Sequence, residues 1–129
     1  MATLGIHHLG LSVSDLDRTS AFFTDCLGWI VAREVPEYPA RFVTNGTAFF
    51  TLWQADPAAT PFDRRNHVGL HHVALAVSDE ATLDALFAKV QAYPGVQVEF
   101  APQPVRDGPA RHCIFQEPGG IRMELFWAP

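Results

Sequence analysis

Two stretches of this chain, "IHHLGLSVSD" (Ile6–Asp15) and "LHHVALAVSD" (Leu70–Asp79), decide how it folds. Each opens on a histidine pair, alternates apolar with small residues and closes on Ser-Asp. His8 and His72 are 64 residues apart, and so are Asp15 and Asp79. Strict alternation is a strand signature, because neighbouring side chains of a strand point to opposite faces. Leu9, Leu11 and Val13 therefore share one face, which requires cover, and His8, Gly10 and Ser12 share the other. In the second stretch Val73, Leu75 and Val77 form the apolar face, opposite His72, Ala74, Ala76 and Ser78. Each His8-type imidazole thus heads a face of small residues that leaves room in front of it.

Working outward, each strand is followed by a helical pattern, "DLDRTSAFFTDCLG" (Asp15–Gly28) and "DEATLDALFAKVQAYPG" (Asp79–Gly95). Asp15 and Asp79 are N-caps, since a short carboxylate accepts the unpaired amide protons of a first helical turn. Leu83, Leu86, Phe87 and Val90 form one apolar face of the second helix; Leu16, Phe23 and Leu27 form a looser stripe on the first, with Gly28 as its C-terminal stop. Three β-branched and aromatic runs separated by turns follow each helix: "WIVAREV", "ARFVTN" and "TAFFTLWQA", then "VQVEFA", "ARHCIFQ" and "IRMELFWA". The order β-α-β-β-β is written twice. This predicts an α+β fold of two tandem βαβββ modules with mainly antiparallel sheets, residues 4–55 and 70–128, joined by a linker at 56–69 within one domain spanning 1–129.

Composition excludes several classes. At 129 residues with 48% hydrophobic and 18% charged content, the chain is a globular domain able to bury its own core. A net charge of −5 and a single lysine, Lys89, leave no basic stripe for nucleic acid. No apolar run approaches a membrane span and no signal peptide is evident, so no membrane partner and a cytoplasmic location are expected. Cys26 and Cys113 have no metal or redox spacing, which fits reduced thiols.

The last strand alternates too, with Ile121, Met123 and Leu125 on one side and Arg122, Glu124 and Phe126 on the other. Two neutral imidazoles and a carboxylate, His8, His72 and Glu124, make a ligand set that suits Fe(II), Zn, Mn, Co or Ni. The alternation permits these three to line one cavity. His112 shares a strand face with Ile114 and Gln116 beside Glu124 and is the candidate acid/base. Phe49, Phe50, Trp53 and Phe126 offer an aromatic wall. His7, His67 and His71 read as ordinary polar residues, and "EPGG" as a tight turn.

The stretches His8–Trp29, His72–Asp79 and Glu117–Phe126, with the module order, resemble the vicinal oxygen chelate superfamily (glyoxalase, bleomycin resistance protein and extradiol dioxygenase). That resemblance covers essentially the whole chain. It implies a half-open, cup-shaped mixed β-sheet around a divalent metal (Zn, Ni, Mn, Co or Fe(II)) held by His8, His72 and Glu124. It also implies a small-molecule substrate that chelates the metal through two oxygens, and a homodimer. The glyoxalase I pattern has a fourth ligand, Glu or Gln, where this chain has Thr51 or Phe50. The extradiol pattern has a tyrosine where this chain has Ile114.

The expected activity is therefore lyase or isomerase chemistry by proton transfer. His112 and Glu124 are the catalytic groups, and Phe50, Thr51, Trp53, Arg122 and Phe126 line the substrate pocket. An Fe(II) extradiol-type dioxygenase and a non-catalytic ligand-sequestering protein of the bleomycin-resistance type are the alternatives.

Overall fold

Each histidine pair leads directly into a strand in the computed structural model, which describes residues 1–129. The chain divides into two compact units, Met1–Ala59 and Thr60–Pro129. The first holds strand β1 (Leu9–Val13), helix α1 (Leu16–Ala21), and strands β2 (Ile30–Val35), β3 (Ala40–Thr44) and β4 (Phe49–Gln54). The second holds strand β5 (Val73–Ala76), helix α2 (Glu80–Ala92), and strands β6 (Gln97–Pro104), β7 (Arg111–Gln116) and β8 (Arg122–Trp127). The fold is α+β, as two tandem βαβββ modules.

Both sheets have the same plan. Their strand orders are β1-β4-β3-β2 and β5-β8-β7-β6, with the first pair parallel and the rest antiparallel. A helix between the first strand and the next supplies the crossover that a parallel pair needs. Neither sheet closes on itself, so each is mixed and open.

The caps form as the sequence predicts. Asp15 accepts the amide of Arg18 at 3.0 Å, and Asp79 that of Thr82 at 2.7 Å. Leu83, Phe87 and Val90 of α2 are buried, and Met123 and Leu125 on the helix side of β8 are fully so, with Cys113 and Phe115 of β7 beside them in the core. Each such aliphatic or aromatic side chain contributes about 1.5–3 kcal/mol by leaving water.

The first helix departs from expectation. After Ala21 it widens into a π turn over Phe22–Cys26, with Leu27 N–H bonded to the Phe22 carbonyl at 3.2 Å. The wider turn shifts the phase of the buried stripe. Phe22, Phe23 and Cys26 are buried, and Leu27 is only half-buried. Gly28, at φ +73°, then turns the chain as expected.

Gln54 closes the first unit. Its Oε1 accepts the Leu16 amide at 2.8 Å and its Nε2 donates to the Ser14 carbonyl at 2.8 Å, tying the end of β4 to the entrance of α1. In the second unit Glu117 plays a comparable part in the β7–β8 turn, its carboxylate accepting the amides of Gly119 at 2.8 Å and Ile121 at 3.1 Å.

Candidate active site

Glu124 stands at the centre of the second unit's open face. It is only 6% exposed, an unusual position for a carboxylate unless partners meet both oxygens. They do. His112 Nδ1 lies 2.6 Å from Oε1, and His72 Nε2 lies 3.1 Å from Oε2. The register explains the first contact: Ile114 is directly opposite Glu124 and His112 opposite Phe126, so His112 is the diagonal neighbour of Glu124 on the same face. His112 also meets Phe100 at a tilt and Phe126 edge-on, with ring centroids at 4.9 and 6.0 Å. These rings restrict its orientation.

His72 precedes β5 by one residue, at the mouth of the exposed Ala74–Ala76 face. Its Nδ1 lies 2.7 Å from Nδ1 of His71. Arg122 follows on from this pair. Its Nη1 is 3.3 Å from His71 Nδ1, and its Nε and Nη2 hold both oxygens of Glu99 at 2.7 and 2.9 Å. Desolvation first, and then the Arg122 charge, lower the His71 pKa. Arg122 in turn holds the Glu99 carboxyl below the usual glutamate range. The guanidinium, expected to face substrate, is instead occupied by Glu99 and His71.

Sequence patterning missed Glu99 and gave His71 no role. Glu99 is the extra residue of a β-bulge, because Val98 pairs with Phe115 and Phe100 with Ile114, leaving no partner residue between. A bulge re-aims its side chain, and here it aims a carboxylate at Arg122. The signal available in the sequence for His71 was the doubled histidine itself.

In the first unit His8 is exposed, just before β1, with Nδ1 2.9 Å from His7 Nδ1. The open face of β4 carries Phe49, Thr51 and Trp53. Thr51 accepts the indole proton of Trp53 at 2.8 Å, and Trp53 meets Tyr38 and Phe42 edge-on or tilted at 4.7 and 5.6 Å. Phe50, expected in the pocket, points the other way. It packs in the core against Phe23 and Trp29 at 5.6 and 5.2 Å, because strand alternation puts it on the helix side.

The register of the two parallel ladders decides which residue occupies the fourth-ligand position. Leu9 pairs with Phe50 and Gly10 with Thr51, as Val73 pairs with Met123 and Ala74 with Glu124. Thr51 is therefore the counterpart of Glu124, and Phe50 that of the core residue Met123.

No group of three or more His, Cys, Asp or Glu side chains is assembled as a metal cage. Two donors do meet: His72 Nε2 and Glu124 Oε2, at 3.1 Å, have the spacing of two atoms each about 2.1 Å from one ion with a near-right angle between the bonds. This pair fits a divalent ion.

The comparisons bear on the whole chain. A 2-epi-5-epi-valiolone epimerase of Actinomyces sp. is 29% identical, over 98% of this chain and 80% of that protein. A probable chloroplastic lactoylglutathione lyase of Arabidopsis thaliana is 30% identical over 92% of this chain, which spans about a third (34%) of it. Among solved structures, a glyoxylase/bleomycin resistance protein/dioxygenase domain from Frankia sp. EAN1pec superposes with a TM-score of 0.84, at 23% identity, covering 99% of this chain and 100% of that one. The sequence profile of one family matches residues 5–125, and on that match the chain belongs to the Glyoxalase/Bleomycin resistance protein/Dioxygenase superfamily.

Proposed function

We propose that this protein is a metal-dependent enzyme of the epimerase or lyase type, acting on a small substrate that presents two neighbouring oxygens. His72 and Glu124 are the proposed ligands in the second module, and His8, the repeat counterpart of His72, is the candidate ligand in the first. The observation that carries this reading is the arrangement around Glu124, where one carboxylate is shared between a ligand-spaced imidazole at 3.1 Å and a second imidazole at 2.6 Å.

A divalent ion bound there supplies Lewis acidity, stabilising negative charge on substrate oxygen. The protein supplies the rest. With His112 Nδ1–H committed to Glu124, its Nε2 is the nitrogen left to take a proton from substrate carbon and return it. Phe100 and Phe126 pack against that ring and restrict its orientation. Epimerisation or isomerisation beside a carbonyl needs just such a positioned base. Ile114, opposite Glu124, offers no phenol, which favours proton transfer over ring-cleaving dioxygenase chemistry.

Metal content per chain, measured by mass spectrometry on protein prepared without a histidine tag, tests the ligand assignment. About one equivalent is expected per complete site, with loss in His72→Ala and Glu124→Ala. Full loading of His72→Ala overturns the assignment.

A further inference from the structure

We propose that the open face of the first module receives the non-chelating end of the substrate, and that Arg33 makes this face selective for a carboxylate on a flat apolar body. The inference rests on the proposed small-molecule substrate and deepens it by naming the substrate's class.

The edge strand β2 carries a bulge. Val31 pairs with Val43 and Arg33 with Phe42, which leaves Ala32 without a partner. Regular alternation would set Arg33 beside Val31 on the helix side, and the extra residue turns it to the open one. Bulges re-aim side chains in this way and are over-represented beside active sites. Strand β6 has its bulge at the matched place, where the residue corresponding to Arg33 is Phe100, packed on His112. Arg33 is the one charged residue that the register puts on the open face of β1–β4. The other two charged residues of these strands, Glu34 and Arg41, lie on the helix side and pair at 3.5 Å.

Arg33 has no acid of its own. The arginine ion pairs of this protein take Arg41, Arg64, Arg111 and Arg122 and leave Arg33 out. Its guanidinium lies instead over the Phe42 ring, 5.9 Å from the centroid, within cation–π range. Phe42 meets Trp53 and Phe49 at 5.6 and 6.0 Å, with no pair parallel, and all three rings keep part of their surface in solvent. Gly10 keeps the space beside them clear. A Cβ there would come 3.2 Å from Thr51 Oγ1 and 3.7 Å from Trp53 Nε1, against the hydrogen bond that joins them.

An aromatic surface with one guanidinium and no carboxylate fits an occupant of matching charge. Flat rings pack well against such a surface. The planar fork of an arginine meets both oxygens of a carboxylate. A phosphate monoester, at roughly −1.5 to −2 charge, leaves charge that a single arginine does not match. The face therefore suits a flat monocarboxylate.

Two probes of one shape, 2-naphthoate and the uncharged 2-naphthylmethanol, are titrated into the full-length 15N-labelled protein. Binding is read at the Trp53 indole and Phe42 amide signals. Naphthoate is expected to bind roughly fivefold tighter, the gain that an exposed ion pair allows, in chelator-treated and Zn2+-loaded protein alike. Arg33→Met is expected to bring naphthoate down to the affinity of 2-naphthylmethanol, and Arg33→Lys to restore part of the difference. Equal binding of the two probes to the unmodified protein overturns the proposal, as does silence of both signals. Tighter binding of 2-naphthyl phosphate than of naphthoate overturns the carboxylate assignment. A preference that needs Zn2+ and survives Arg33→Met puts the carboxylate on the ion, which sinks the selective face and supports the metal reading. A preference lost in Arg33→Met, with full metal loading of His72→Ala, sustains the face and sinks the ligand assignment alone.

Discussion

Thr51 and Glu124 are register equivalents, the first across from Gly10 on the β1–β4 ladder and the second across from Ala74 on β5–β8. The first module therefore offers a hydroxyl where the second offers a carboxylate. That hydroxyl already accepts the Trp53 indole proton at 2.8 Å. A glutamate ligand and base at this position is thereby absent from the first module, and under the proposed function His112 is the group left to move the proton. Little lactoylglutathione lyase activity is expected on the hemithioacetal of methylglyoxal and glutathione, even with metal supplied. A robust rate that disappears in His8→Ala and survives in His112→Ala would reverse this view of the site.

Gln54 ties the end of β4 to the entrance of α1. Replacing it by Ala leaves the Leu16 amide and the Ser14 carbonyl without their side-chain partner. A loss of about 1–3 kcal/mol is expected, measured by urea unfolding, with no effect on metal content.

Glu99 ties stability to acid. Its carboxyl is held below the ordinary value of 4.5, chiefly by the Arg122 hydrogen bonds. A depressed folded-state pKa contributes stability that is present above the ordinary value and is lost as pH falls through the lowered one. Unfolding free energy measured at descending pH below 4.5 is expected to fall more steeply for the unmodified protein than for Glu99→Gln.

Cys113 lies fully buried on the helix side of β7, and burial pushes its thiol up to about 11. Only the thiolate is nucleophilic, so the folded protein is expected to resist alkylation at this position at mildly alkaline pH and to react on unfolding. Mass mapping of iodoacetamide adducts with and without urea checks it.

The edge strand β2 leaves Ile30 64% and Val31 39% exposed. Open edges with apolar side chains favour pairing between copies, and a homodimer is expected. Sedimentation showing only a 14.2 kDa species at micromolar concentration is the contrary result.

Alternation and capping signals made the module order legible, and they placed His112, Glu124 and Phe126 on one face of β7–β8. They failed where the backbone leaves its regular period. The π turn moved Leu27 out of the core and brought Phe22 and Cys26 in, and no residue type in "FFTDC" announces a wider turn. The β6 bulge removed Glu99 from the two-residue rhythm, so the partner of Arg122 was invisible and Arg122 read as a substrate residue. Phe50 and Thr51 differ by a single step of register, which only the pairing itself decides.

The matched ladders separate what the two modules share from what they do not. On the helix side the two modules carry interchangeable grease, Leu52 and Leu125 or Val13 and Val77, and on that side lies the cohesion of each half. On the open side the same addresses hold Thr51 or Glu124, Phe49 or Arg122, Trp53 or Phe126, and Ala40 or His112. One half has become a workbench of charges and imidazoles, its twin an aromatic shelf. The two modules thus carry different side-chain chemistry at four matched addresses on one shared scaffold.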